Sequence, residues 1–403
     1  MKILMINKFL YPRGGAETYM LKLGESLSEA GHQVQYFGMK DEKNIVGNEW
    51  GLYTSNMDFH SSSVERFLYP FRIIYSMEAR RKVDKLIKYF HPDIIHLNNI
   101  NFQITPSVID IAAKWKIPVI QTVHDSQMIC PGHLLYQTEK NQLCTRCVEG
   151  SKWNCAKYRC IHGSFIKSLL GTIEGLFYDC KKTYDKVDMY LCPSHFIEKI
   201  LCTRKRYRGK TKVLCNFIEQ PEGDYGEKQD YILYFGRLSE EKGISLFLEM
   251  CRRFPQVRFK IAGSGPLDEM CKGLPNAEFL GLLTGESLKK VIAQAKLVIY
   301  PSLCYENCPL SILEAVSLGT PVLSSARGGI QELICQEETG IIVPEPFNVK
   351  ALEQKLNFLL ENPEKLVNMA QKCRQKSQKL MNRDSYRKEL EGIYHQILRN
   401  KSI

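Results

Sequence analysis

Short runs of β-branched and aromatic residues alternate with stretches of helical periodicity along most of the chain. In the first half the apolar runs "KILMIN", "QVQYFG", "DIIHL", "PVIQTVH" and "MYLCPS" predict strands. Between them, residues 17–30 and 80–90 carry the 3.6-residue spacing of helices. In the second half "YILYFG", "RFKIAG", "AEFLG", "LVIYPS" and "PVLSS" predict strands, with helices at 244–254, 287–295 and 310–318. Regular alternation of strand and helix is the signature of parallel α/β domains. The Pro-, Gly- and charge-rich stretch 216–230 marks a boundary. Beyond residue 350 the pattern is helical and polar to the end. The expected architecture is α/β, with two doubly wound domains facing across a cleft, because ligands bind at the carboxyl ends of parallel strands. The expected divisions are residues 1–218 with a Cys-rich insert at 130–162, residues 219–375, and a last helix, 376–403, packing back on the first domain.

Composition changes this picture little. The 403 residues exceed one ordinary core and suit two domains. Hydrophobic residues at 44% and charged residues at 25% are those of a globular chain. No apolar run nears the roughly 20 residues that span a bilayer. "MKILMIN" reads as a buried first strand and not as a signal peptide, so a cytoplasmic location is expected. Charge is more informative. The net +11 is concentrated in residues 1–220, with 31 Lys and Arg against 21 Asp and Glu. The remainder holds 24 against 23. A basic half suits anionic lipid or a phosphorylated substrate. No nucleic-acid motif accompanies it, so no nucleic-acid partner is expected.

The candidate chemistry lies in "CYENCPLSILEA", residues 304–315. Pro309 suits the first position of a helix, and Gly319 followed by Pro321 suits its stop. The N–H groups of Leu310 and Ser311 then form an anion site at the positive helix end. Glu306 precedes that end and Glu314 follows it, roughly 7–8 Å further along the axis at 1.5 Å per residue. Carboxylates accept paired hydrogen bonds from vicinal sugar hydroxyls. By spacing alone, two glutamates eight apart are commonplace. "YFGRLSEEKG" adds Arg237 and Lys242 at a strand end, where a phosphate pair needs cations. "FLYPRGGAET" places Gly14 and Gly15 between a strand and a helix, open to close backbone approach. It lacks the GxGxxG spacing, which excludes nicotinamide binding there. "IAGSGPL" and "FLGLLTG" supply Gly263, Gly265 and Leu282 at further strand ends, useful beside a flat base.

Taken in order, "PRGGAET", "TVHD", "FGRLSEEKG", "AGSGP" and "ENCPLSILEAVSLGTPV" resemble glycosyltransferase family 4, whose members have the GT-B fold of two Rossmann-like domains. The resemblance implies a retaining transferase using a nucleoside-diphosphate sugar. Under it, Glu306 and Asn307 contact the donor, Glu314 the ribose, and Arg237 and Lys242 the diphosphate, helped by Leu310, Ser311 and Gly15. His124 of "TVHD" would touch the donor sugar. No cofactor is implied for catalysis. The implied acceptor is a glycan or a polyprenyl-diphosphate-linked saccharide of a surface polysaccharide. Two alternatives stay open: a non-catalytic nucleotide-binding assembly partner, and a sugar-nucleotide epimerase of the same fold.

Two further stretches stand apart. Cys144, Cys147, Cys155 and Cys160 give C-x2-C-x7-C-x4-C, a spacing that suggests a structural zinc site. An iron–sulfur cluster, disulfides and unliganded thiols are the alternatives. Residues 64–90 mix Phe67, Leu68, Tyr69 and Phe71 with Arg66, Arg72 and Arg80, a composition suited to an anionic membrane surface. The basic run 203–210 adds a second candidate contact, so peripheral attachment to the inner face of the cell membrane is an expectation.

Overall fold

The computed structural model describes residues 1–55, 72–221, 223–378, 380 and 382–401. The chain divides into two compact units. The first comprises the described residues of 1–133 and 145–216, together with the chain from Arg383. Its strands are β1 (Lys2–Ile6), β2 (Gln33–Phe37), β3 (Ile94–Leu97) and β4 (Val119–Thr122), then, after the insert, β7 (Met189–Cys192) and β8 (Thr211–Val213). They form one parallel sheet in the order β2-β1-β3-β4-β7-β8. Ile3 to Ile6 are wholly buried, as befits a strand covered on both faces. Helices α1 (Gly15–Glu29), α2 (Met77–Phe90) and α3 (Ser107–Lys114) link these strands. Only the part of the 64–90 stretch beyond residue 71 lies within the described residues. There α2 buries Ala79, Val83, Leu86, Ile87 and Phe90, and Glu78 pairs with Arg72 and Lys82 at 2.6 and 2.7 Å. That half is an ordinary packed helix.

The Cys-rich insert contains a hairpin, β5 (Tyr136–Gln137) with β6 (Gln142–Leu143), and helices α4 (Arg146–Glu149), α5 (Trp153–Lys157) and α6 (Phe165–Lys181). Helix α7 (His195–Cys202) precedes the basic run. Most cations of that run are engaged internally. Arg204 donates to the Cys147 carbonyl at 2.8 Å, Arg206 pairs with Asp179 at 3.1 Å, and Lys210 donates to the Asp185 carbonyl at 2.6 Å. The run therefore fastens the insert to its unit.

The second unit comprises residues 134–144 and the described residues of 217–382, so the hairpin belongs to it. Its parallel sheet runs β11-β10-β9-β12-β13-β14. The members are β9 (Gln229–Phe235), β10 (Phe259–Ala262), β11 (Ala277–Gly281), β12 (Ala295–Tyr300), β13 (Val322–Ser325) and β14 (Gly340–Val343). Helices α8 (Ile244–Arg253), α9 (Gly285–Gln294), α10 (Leu310–Ser317) and α11 (Ile330–Leu333) connect them, and α12 (Val349–Glu361) and α13 (Pro363–Ser377) follow. Ile232, Phe247, Phe259 and Leu352 lie in one core cluster, and Leu233, Val298 and Ile312 in another.

The last helix, α14 (Arg383–Lys401), returns to the first unit and packs on α1. Its Tyr386 hydroxyl lies 2.5 Å from that of Tyr19, and its Tyr394 hydroxyl 2.6 Å from His96 Nδ1. The other ring nitrogen of His96 meets Thr122 Oγ1 at 2.7 Å. Burial, reinforced by nearby His124, drives the His96 pKa down to about 3. The folded state thus binds fewer protons than the unfolded one below the ordinary histidine pKa. Stability from this group is full above about pH 6.5 and falls by about 1.4 kcal/mol per pH unit down to about 3. Urea denaturation of the wild type and His96→Gln between pH 7 and 5 checks this. The wild type should lose more stability on acidification than the variant, and equal losses would refute the assignment.

Candidate functional site

In the second unit the chemistry gathers where β9 and β12 end. Gly243, in the left-handed region at φ +77°, closes the turn that holds Lys242, and a Cβ there would meet the Pro301 carbonyl at 1.9 Å. This close approach brings the Lys242 ammonium to 2.7 Å from Glu306 Oε1. The same oxygen accepts from Ser302 Oγ at 2.8 Å and from the Tyr300 hydroxyl at 3.0 Å. Glu306 is 8% exposed. Burial alone would raise its carboxyl pKa, but Lys242 and the hydroxyl donors outweigh that and hold it below the ordinary range. Burial opposes the Lys242 charge in turn, and Glu306 overrides it, keeping the amine charged. The result is a buried, ionised pair with the carboxylate fixed through Oε1. Oε2 takes none of these bonds.

The backbone of Glu306 is held just as firmly. It forms a bridge with Gly328, and Gly329 N–H donates to the Glu306 carbonyl at 2.8 Å. Gly328 has φ +68°, and a Cβ there would lie 2.2 Å from that carbonyl. Arg327 does not offer its guanidinium as a ligand. It donates to the Leu303 carbonyl, pairs with Glu345 at 2.8 Å and lies over the Phe347 ring.

Pro309 is the N-cap of α10 and not its first helical residue. The N–H groups of Leu310 and Ser311 precede the first bond of the turn, Ile312 N–H to the Pro309 carbonyl at 3.1 Å. A Cβ on Gly236, the residue after β9, would lie 3.9 Å from Ser311 Oγ, so the helix end adjoins the loop carrying Arg237. Arg237 is exposed. Asn307 and Glu314 are half-buried on either side of the helix start. Gly263 and Gly265 have a packing reason of their own. Side chains there would overlap the carbonyls of Gly236 and Leu238, at 1.9 and 2.3 Å. Leu282 is 69% exposed after β11.

In the first unit, Gly14 caps α1 and Gly15 opens it, both exposed. His124 follows β4. Its Nε2 lies 2.9 Å from Asn98 Oδ1, and its ring meets Tyr19 edge-on at 5.2 Å. Burial lowers its pKa to about 4 against the opposing charge of Asp125, so it is neutral near pH 7. With the Asn98 carbonyl accepting, Nε2 carries the proton and Nδ1 is left to accept. Beside it lies a cavity of about 10 Å³ lined in part by Asn98, Gln121 and Gln127. Asn98 Nδ2, Gln121 Oε1 and Gln127 Nε2 are buried there without protein partners. Two donors and one acceptor complement a hydroxyl.

The zinc expectation is corrected. Cys144 belongs to the hairpin in the second unit, whereas Cys147, Cys155 and Cys160 belong to the first. Cys160 N–H donates to the Cys155 carbonyl at 3.1 Å. Among the described residues, however, no three His, Cys, Asp or Glu side chains converge as a metal site requires. None of the fifteen cysteines forms a disulfide. The hairpin instead contributes Tyr136, which the sequence reading missed. It is 4% exposed, with Glu240, Cys304 and Arg327 in its surroundings, and Asn141 reaches Glu240 at 3.4 Å. The only sequence signal was the alternation in "LLYQTEKNQL".

These features define a two-domain α/β transferase framework, and comparison with known proteins gives its family. The profile "Glycosyltransferase Family 4" matches residues 13–220 and "Glycosyl transferases group 1" matches 218–378. The chain belongs to this glycosyltransferase family. An uncharacterized 42.6 kDa protein in the cps region of Klebsiella pneumoniae is 24% identical over 83% of this chain and 87% of its own length. The putative colanic acid biosynthesis glycosyltransferase WcaL of Escherichia coli is 27% identical over 40% of this chain and 44% of its own. The structure of Anabaena HepE in complex with UDP-glucose superimposes with a TM-score of 0.65 at 16% identity, covering 98% of this chain and all of that one. That likeness supports the GT-B fold.

Proposed function

We propose that the chain moves a sugar, with retention, from a nucleoside-diphosphate sugar to a hydroxyl of a glycan or lipid-linked saccharide in surface-polysaccharide assembly. The observation that carries this reading is the Lys242–Glu306 pair set beside the start of α10. The second unit takes the donor. Arg237, Lys242 and the amides of Leu310 and Ser311 face the diphosphate, Glu306 Oε2 accepts from the sugar hydroxyls with Asn307 beside it, and Glu314 holds the ribose. Gly14 and Gly15 admit the phosphates closely, Gly263 and Gly265 keep the base site flat, and Leu282 covers it. The first unit takes the acceptor, and His124 Nδ1 accepts from a hydroxyl of the donor sugar.

In the reaction, the bond from the anomeric carbon to the phosphate oxygen breaks and the acceptor oxygen bonds to that carbon on the same face. The acceptor proton passes to the departing phosphate oxygen. Fixed positive charge stabilises the leaving diphosphate as its charge grows. The HepE complex with UDP-glucose makes a uridine donor the first to try. A polyprenyl-linked acceptor places the enzyme at the inner face of the cell membrane.

Calorimetric titration with UDP, GDP and their sugars tests this reading. One nucleotide should bind selectively, and Arg237→Ala should weaken it by about tenfold to a hundredfold, the effect of losing a charged hydrogen bond. A folded protein that binds none of them would overturn it.

A further inference from the structure

Helix α6 (Phe165–Lys181) is built inside out. Its inward face buries four small residues, Ser168, Gly171, Thr172 and Gly175, with Glu174 and Tyr178 beside them. The packing there is close, since a Cβ on Gly171 would lie 2.6 Å from Ile161 Cδ1 and one on Gly175 would lie 2.9 Å from Lys152 Cδ. Its outward face is large and apolar. Phe165 and Ile166 are 51% and 70% exposed, Ile173 and Phe177 are exposed, and Leu169 and Leu176 are half-buried between them. At 100° per residue these six fall within one arc of about 120°. An ordinary surface helix shows the reverse arrangement. At 1.5 Å per residue the apolar stripe runs for roughly 20 Å, more than the scattered single exposures normal for a globular chain.

Charge identifies the occupant. Residues 140–212, which contain α6, hold sixteen Lys and Arg against six Asp and Glu. Arg204, Arg206, Lys181 and Lys186 of these have internal partners, and Lys157, Arg159 and Lys167 are exposed. Lysines stand at both ends of the stripe. Lys167 is exposed in the first turn, and Lys181, paired with Asp110, lies over the Tyr75 ring at 4.3 Å beside Phe177. Trp153, on the neighbouring α5, is 54% exposed. Apolar side chains with lysines and aromatic rings at their margins match the boundary of an anionic bilayer, where acyl chains take the apolar part and headgroups the cations. A second copy of the chain would bring two basic faces together, which like charge opposes.

We infer that the outward face of α6 is the membrane-binding element of this protein, lying in the plane of an anionic lipid surface with Phe165, Ile166, Ile173 and Phe177 inserted. This goes beyond the transferase reading and does not depend on it, because lipid binding is measured without sugar transfer. The described part of the 64–90 stretch, by contrast, is packed inward.

The test is co-sedimentation of the full chain with vesicles of phosphatidylcholine containing phosphatidylglycerol, and with vesicles of phosphatidylcholine alone. The wild type should bind the anionic vesicles, less so in high salt, and bind the neutral ones weakly. Ile166→Glu combined with Ile173→Glu, both at exposed positions, should reduce that binding by about tenfold or more while the melting temperature and nucleotide titration stay unchanged. Wild-type protein that fails to bind anionic vesicles would overturn the inference, as would equal binding by the double variant. A wild-type dimer that the double variant converts to monomer, with no effect on lipid binding, would assign the face to self-association instead.

Discussion

Replacing Lys242 with Met is expected to lower kcat by on the order of a hundredfold to a thousandfold, the effect of removing a preorganised charge from a water-poor site. It should also make the residual activity acid-sensitive. In the wild type, Lys242 keeps the Glu306 carboxyl below its ordinary range although burial pushes the other way. Without Lys242 the neutral donors Ser302, Tyr300 and Cys304 remain against burial, so the Glu306 pKa rises and activity falls as pH drops through it. The pH profile of kcat should therefore gain an acid limb that the wild type lacks. Glu306→Gln separates the two contributions. It cannot titrate, so it should lose activity without gaining that limb. Thermal unfolding supplies an independent readout. Lys242→Met leaves a carboxylate buried without its cation and should destabilise the fold by about 2–4 kcal/mol, whereas Glu306→Gln should cost less. A Lys242→Met enzyme with wild-type kcat and an unchanged pH profile would remove the pair from the mechanism.

The second large effect is expected at a residue that touches no ligand. Gly328→Val should reduce kcat nearly as far as the loss of Glu306 itself. Any Cβ at 328 falls 2.2 Å from the Glu306 carbonyl, on a backbone conformation that β-branched residues avoid. The bridge between the two residues must open, and the carboxylate moves from the point where Lys242, Ser302 and Tyr300 converge. A displacement of about 1 Å is enough to cost a hundredfold in rate. Steady-state kinetics with a nucleotide titration checks it: kcat should collapse while nucleotide affinity changes little, since Arg237 and the start of α10 are untouched. Wild-type turnover in Gly328→Val would show that Glu306 tolerates displacement.

Much of this framework was legible in the chain because its interior strands are apolar runs bounded by Gly, Pro or Ser. Runs such as "YILYFG" and "LVIYPS" announce themselves in that way. Besides the hairpin strands β5 and β6, the unanticipated strands are β8 and β14, each at the edge of a six-stranded sheet. Thr211–Val213 is three residues with an exposed lysine at its centre, and Gly340–Val343 begins at a glycine that reads as a turn. Within the candidate site, Glu306 and Lys242 stood out by residue type and local setting. What joins them did not. Ser302, Tyr300 and the Gly328–Gly329 turn act through a close backbone approach, which spacing cannot reveal. The cysteine spacing misled because thiols close in sequence do not converge in threes among the described residues. Helix α6 escaped notice because its apolar residues face outward, against the assumption that periodicity marks a core face.

The return of α14 to the first unit has a consequence for how the protein is made. Tyr386, Leu390, Tyr394 and Ile397 are buried, and the two tyrosines meet Tyr19 and His96, residues translated 367 and 298 positions earlier. While the intervening chain emerges from the ribosome, the apolar surface that these side chains cover stays open to water. The unit translated first is thus the later to close, and the second unit, contiguous apart from its hairpin, can consolidate while its elder neighbour waits. Over that interval the nascent chain offers chaperones a hydrophobic surface that the finished molecule no longer shows.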